Sequence, residues 1–182
     1  MSLEFYNFIK QHAENNPNHS AIIDGKATIT YGQLLEQVEC FAGGLTNLKL
    51  TAQSKLGLLC LNQKEYLVAL MGAFLKGLTV VPYNFLLTPE DMIYITKDAT
   101  IDTIIVDSAF IKPETIPFIQ SFKNKILVGN IDSLSLSGDI LTYENFIKNS
   151  PRYKPGSRHN RIGSIPDIIL YTSGTTAKPK GV

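Results

Sequence analysis

Apolar positions along the chain follow two rhythms in turn, one of helical period and one of strand length. In residues 3–15, Phe5, Phe8, Ile9 and His12 recur at helical spacing, and Asn15-Asn16-Pro17 closes the segment. Residues 21–31 change rhythm: Ala-Ile-Ile, an Asp24-Gly25 turn and Thr28-Ile29-Thr30 predict a hairpin. Thr30 followed three residues later by Gln33 is a capping-box signature, opening a helix that runs to about Asn47. Gly43 and Gly44 weaken its last turns and mark either close packing or fraying there.

The same alternation continues. Residues 55–61 form a short apolar run of strand length, and residues 64–76 read as the helix after it. Thr79-Val80-Val81 is the next strand, closed by Pro82. Thr88-Pro89-Glu90-Asp91 places a hydroxyl cap, a proline at the first helical position and two acids facing the helix dipole, a strong helix start. Residues 102–107 and 125–128 read as strands around a helix over 114–122. Parallel strands need such crossovers, so the predicted class is α/β: an open, mostly parallel sheet flanked by helices on both faces.

The rhythm weakens after Gly129. Residues 133–138 alternate polar and apolar and end in a turn, and a loop-rich connection covers about residues 150–166. Arg152, Lys154, Arg158 and Arg161 in that connection read as a solvated basic loop rather than as phosphate ligands. A strand returns at residues 167–172. We find no internal repeat.

Composition narrows the picture only modestly. With 182 residues the chain can bury one sizeable core, and 44% hydrophobic against 18% charged residues is the profile of a folded domain. A net charge of +1 argues against a broad electrostatic partner such as nucleic acid. Cys40 and Cys60, each in an apolar segment, read as reduced core thiols of a cytoplasmic protein. The N-terminus carries Glu4 and lacks the basic-then-apolar order of a signal peptide. The most apolar stretch, residues 66–75, is too short to span a bilayer, so no membrane-spanning segment is expected. His12, His19 and His159 are widely separated and lack metal-ligand spacing.

The candidate chemistry follows the last strand, in Thr172-Ser173-Gly174-Thr175-Thr176-Ala177-Lys178-Pro179-Lys180-Gly181-Val182. Clustered hydroxyls can donate to phosphate oxygens, and Gly174 and Gly181 allow close backbone approach to an anion. Two lysines supply charge, with Pro179 restraining the backbone between them. No Gly-Lys-Ser/Thr triplet is present at the spacing of a Walker A loop. Composition alone fits a Ser/Thr/Gly linker equally well; the order of residues decides.

That order, from Tyr171 to Val182, resembles the signature of the adenylate-forming superfamily, which includes acyl-CoA synthetases, amino-acid adenylation domains and firefly-type luciferases. Two weaker motifs of the same family precede it in the right order. Thr30-Tyr31-Gly32-Gln33-Leu34 resembles the first, and Leu75-Lys76-Gly77-Leu78-Thr79-Val80-Val81-Pro82 the second. Ala177 departs from the pattern, standing where the family usually has glycine and sometimes serine. Either alanine brings about 1 kcal/mol or more of strain into a position of positive φ, or the loop tolerates it until nucleotide binds.

The resemblance implies that residues 1–182 are the N-terminal portion of an AMP-binding domain, with the rest of the large domain and the small C-terminal domain absent. It implies a two-step reaction. A carboxylate attacks the α-phosphorus of Mg-ATP to give an acyl-adenylate and pyrophosphate, and a thiol, usually of coenzyme A, then displaces AMP. Thr172, Ser173, Gly174, Thr175, Thr176 and Lys180 are the residues it assigns to the β- and γ-phosphates, with ATP, Mg2+ and coenzyme A as the small molecules involved. No catalytic residue and no protein-held metal ligand is expected in this part, so the chain alone is expected not to turn over. The stretch Val81-Pro82-Tyr83-Asn84-Phe85-Leu86-Leu87-Thr88-Pro89-Glu90 looks more like fatty-acid–CoA ligases than like amino-acid or carrier-protein adenylating ligases. A non-catalytic remnant that keeps the fold is the rival from another class.

Overall fold

The computed structural model describes residues 2–25, 27–51, 53–130, 136, 138–156, 168–172 and 178–182. The amphipathic N-terminal segment is helix α1 (Ser2–Asn15), which buries Tyr6, Ile9 and Ala13. The hairpin follows as β1 (Ser20–Ile23) antiparallel to β2 (Thr28–Thr30), with the Asp24 carboxylate accepting from the Ala27 N–H at 2.7 Å across the turn. Thr30 then caps α2 (Tyr31–Asn47) with both halves of the predicted box. The Gln33 N–H donates to Thr30 Oγ1 at 3.3 Å, and the Thr30 N–H donates to Gln33 Oε1 at 2.9 Å.

The central sheet is built from β3 (Lys55–Leu59), β4 (Thr79–Pro82), β5 (Thr103–Asp107), β6 (Asn124–Val128) and β7 (Ile140–Thr142). All neighbours are parallel, in the spatial order β4-β3-β5-β6-β7. Helix α3 (Lys64–Lys76) links β3 to β4 and ends on Gly77 at φ +80, a conformation that favours glycine. Helix α4 (Pro89–Asp98) links β4 to β5; Thr88 caps it by accepting from the Asp91 N–H, and proline occupies its first turn. Helix α5 (Ile116–Gln120) links β5 to β6.

Successive strand residues feed opposite faces, as a pleated strand requires. Leu56, Leu58, Val80, Ile105 and Ile126 enter one core with residues of α1, α2 and α3. Leu59, Val81, Ile104, Val106 and Leu127 enter a second core with Met92, Ile95, Phe118 and Phe122. The sheet is therefore covered by helices on both faces, as the pattern predicts. Both cysteines are buried free thiols, and burial, aided by the nearby Asp107 charge, raises the Cys60 thiol well above its ordinary value. No helix among the described residues is long and apolar enough to cross a membrane.

Three expectations change. The helix expected over 114–122 is shorter, because the Lys112 carbonyl takes both the Thr115 and Ile116 N–H groups and holds the entry as a turn. The region after Gly129, where the rhythm weakens, carries β7 and helix α6 (Tyr143–Lys148), capped by Thr142. Tyr143 and Phe146 of α6 are buried on Phe41 of α2, with ring centroids 6.3 and 5.2 Å away. Most of the expected alternation at 133–138 lies outside the described residues. Arg152 is more than a solvated loop residue: its Nε donates to the buried Glu39 carboxylate at 2.6 Å.

Candidate phosphate-binding site

Among its described residues, the segment expected as a sheet strand over 167–172 joins the sheet at one point. Ile168 forms a single parallel bridge to Val80 of the edge strand β4, and the Ile169 N–H donates to the Val80 carbonyl at 3.0 Å. Asp167 lies outside the described residues. Beyond that bridge the chain leaves the sheet. Leu170 and Val182 exchange both backbone hydrogen bonds, at 3.0 and 2.9 Å. Next come β8 (Tyr171–Thr172) and β9 (Lys180–Gly181), an antiparallel pair in which Tyr171 faces Gly181 and Thr172 faces Lys180.

This pairing brings together two of the predicted site residues. Thr172, the first hydroxyl of the set, sits directly across from Lys180, its cation, and both are exposed. Ser173, Gly174, Thr175 and Thr176, with Ala177, lie outside the described residues. The described part is thus the stem from which the hydroxyl-rich segment departs and to which it returns. An exposed ammonium opposite an exposed hydroxyl can offer donors to one anion.

Gly181 has a local reason in this geometry. A Cβ there would meet the Ile169 side chain at 2.9 Å and the Tyr171 ring at 3.1 Å, so glycine lets Tyr171 lie across the partner strand. Pro179, between the two lysines, is buried. The Tyr171 hydroxyl donates to Asp98 Oδ2 at 2.5 Å. Burial, the hydrogen bond to Asp98 and the Asp98 charge all raise the Tyr171 phenol above its ordinary value, which keeps it a neutral donor. Lys178 Nζ lies 5.1 Å from the centroid of the Tyr94 ring. Sequence reasoning missed Tyr94 and Asp98; no local pattern on α4 points to a hairpin some 70 residues away.

Elsewhere, a polar cluster sits at the carboxyl ends of β3 and β5. Gln63 Nε2 donates to Asp107 Oδ2 at 2.6 Å, and Asp107 Oδ1 accepts from the Ala109 N–H at 2.8 Å. These bonds tie the start of α3 to the end of β5, and they account for both carboxylate oxygens. Among the described residues no three His, Cys, Asp or Glu side chains gather where they could hold a metal ion.

Comparison with known proteins places this geometry in context. The profile of a family described as AMP-binding enzyme matches residues 9–182. A medium/long-chain-fatty-acid–CoA/3-oxocholest-4-en-26-oate–CoA ligase of Mycolicibacterium smegmatis is 28% identical, over 100% of this chain and 33% of its own length. A 2-succinylbenzoate–CoA ligase of Bacillus licheniformis is 27% identical, over 100% of this chain and 34% of its own. Among solved structures, the anthranilate CoA ligase AuaEII in complex with anthranoyl-AMP superposes with a TM-score of 0.81 at 20% identity, covering 97% of this chain and 33% of that one. The chain thus spans about a third of the length of the relatives it matches.

Proposed function

The chain belongs to the AMP-binding enzyme family, and from that membership we propose that it supplies the polyphosphate-binding part of an ATP-dependent acid–CoA ligase. The acid is a fatty acid, which is converted to an acyl-adenylate and then to a coenzyme A thioester in the cytoplasm. The carrying observation is the stem of the signature loop, where Thr172 and Lys180 face each other as cross-strand partners. Ser173, Gly174, Thr175 and Thr176 complete the set on the segment between them, and together these residues hold the β- and γ-phosphates of ATP. Mg2+ enters with the nucleotide on its phosphate oxygens.

The chemistry asked of this part is electrostatic. Pyrophosphate is the leaving group, and hydrogen-bond donors and an ammonium aimed at its oxygens stabilise the charge that develops there. The attacking carboxylate is ionised at neutral pH and needs no general base. Residues 1–182 form the N-terminal portion of the adenylation domain and do not complete a turnover alone. The threefold greater length of the relatives supports that reading. The fatty-acid assignment is supported by the medium/long-chain fatty acid named for the Mycolicibacterium smegmatis relative and by the apolar segment after β4, where Phe85 and Leu86 are exposed.

The test is calorimetric titration of the chain with Mg-ATP and with inorganic tripolyphosphate. Both bind, and Lys180→Ala weakens both by about tenfold, as loss of a charge-assisted contact predicts. A chain that binds neither ligand refutes the assignment of the loop. Steady acyl-adenylate production by the pure 182-residue protein refutes the statement that this part does not turn over.

A further inference from the structure

Helix α4 meets the stem of the loop with two side chains one turn apart. Tyr94 and Asp98 are separated by four residues and so share a face of the helix. Tyr94 presents its ring to Lys178, just before β9, and Asp98 accepts the hydroxyl proton of Tyr171 on β8. One helix face therefore touches both sides of the hairpin.

Asp98 is otherwise poorly placed. It is the last residue of α4, where the helix dipole disfavours a negative charge, and it is exposed. The core contacts of α4 come from Met92, Ile95 and Thr96, with Ile93 and Tyr94 packed at the margin of the same core, and its cap comes from Thr88. The contact with Tyr171 gives the carboxylate a reason to be there. Tyr171 in turn is seated by Gly181, whose missing side chain leaves room for the ring.

We infer that Asp98 and Tyr94 are positioning residues for the stem of the phosphate loop, holding Tyr171 and Lys178 in place before a polyphosphate arrives. This rests on the phosphate-loop reading given above. The two lysines then divide their work: Lys178 is held on the Tyr94 ring as part of the clamp, while Lys180 stays exposed beside Thr172 to meet the anion. A stem that is already held has less conformational freedom to lose on binding, and affinity rises accordingly.

The experiment compares Asp98→Ala, Asp98→Asn, Tyr171→Phe and Tyr94→Leu in the 182-residue protein. Amide exchange at Leu170 and Val182 reports on the stem, and calorimetry with inorganic tripolyphosphate reports on the loop. Asp98→Ala and Tyr171→Phe each accelerate exchange at these two amides by about fivefold and weaken tripolyphosphate by about fivefold. The double variant is no worse than either single one, because both remove the same bond. Asp98→Asn keeps an acceptor oxygen and restores most of both effects. Tyr94→Leu weakens tripolyphosphate by about twofold to fivefold. The urea midpoints of Asp98→Ala and Asp98→Asn, at an exposed position, stay near that of the unaltered chain, which separates positioning from general destabilisation. Unchanged exchange and affinity in Asp98→Ala and Tyr171→Phe overturn the positioning role alone. Failure of the unaltered chain to bind tripolyphosphate overturns the phosphate-loop reading and the positioning role with it.

Discussion

Replacing Gly43 by alanine sets two magnitudes against each other with opposite sign. Gly43 lies inside α2, and intrinsic propensity alone favours alanine there by about 1 kcal/mol. The structure opposes this. A Cβ at residue 43 would fall within the carbonyl oxygen of Pro151, and it would lie 3.0 Å from that carbonyl carbon. The obstacle is backbone rather than a flexible side chain. It is also held in place: the Tyr153 N–H donates to the Glu39 carbonyl at 2.9 Å, and Arg152 Nε donates to the Glu39 carboxylate at 2.6 Å. Displacing this segment costs at least the about 1–3 kcal/mol typical of overpacking, with loss of part of the Arg152–Glu39 contact added. The net expectation is destabilisation by about 2 kcal/mol, or about 4–8 °C in melting temperature for a chain of this size. Urea unfolding followed by circular dichroism measures it, with the slope compared between variants to confirm a common reference state. A Gly43→Ala protein as stable as the parent, or more stable, would show that the 151–153 segment does not sit on α2 and that propensity governs this turn.

Other expectations are simpler to check. The Tyr143 hydroxyl is buried with no partner among the described residues, so Tyr143→Phe raises stability by about 1 kcal/mol in the same urea assay. Thr88→Ala removes the cap of α4 and lowers stability by about 1 kcal/mol, whereas Thr88→Ser restores it. Burial first, with neighbouring acids in most cases, raises the phenols of Tyr6, Tyr83, Tyr143 and Tyr171 above their ordinary value near 10. The unfolded chain then releases these protons before the folded one does. Their stabilising contribution is full below about pH 10 and is lost as pH rises through the folded values, so the urea midpoint falls between about pH 10 and 12; a flat profile there contradicts the burial of these rings. Glu39→Ala leaves the Tyr6 hydroxyl and the Arg152 guanidinium without their shared acceptor and costs about 2–3 kcal/mol, measurable by thermal unfolding.

Much of the fold was legible from neighbouring residues. The box between Thr30 and Gln33, the cap at Thr88 with Pro89 behind it and the turn at Asp24-Gly25 are all decided within a few residues. Each predicted element containing them formed. The alternation of short apolar runs with helical segments was enough to specify a parallel sheet covered on both faces, because parallel neighbours require crossovers. The order of residues in the signature likewise carries the family by itself.

What the tertiary structure alone decided are the contacts between distant segments. Gly43 and Gly44 read equally as fraying or close packing, and only the presence of Pro151 and Phe146 against them settles the matter as packing. β7 and α6 are too short to carry a period of their own, and they persist because Tyr143 and Phe146 find Phe41 on a helix formed some hundred residues earlier. The run before the signature has strand character throughout, yet among its described residues it meets the sheet at a single bridge, since Leu170, Tyr171 and Thr172 pair within the hairpin instead. Arg152 and Glu39 are 113 residues apart, and Tyr171 and Asp98 are 73 apart. A hydrogen bond across such a separation has no local signature, because nothing in the residues around either partner depends on the other until the chain has folded.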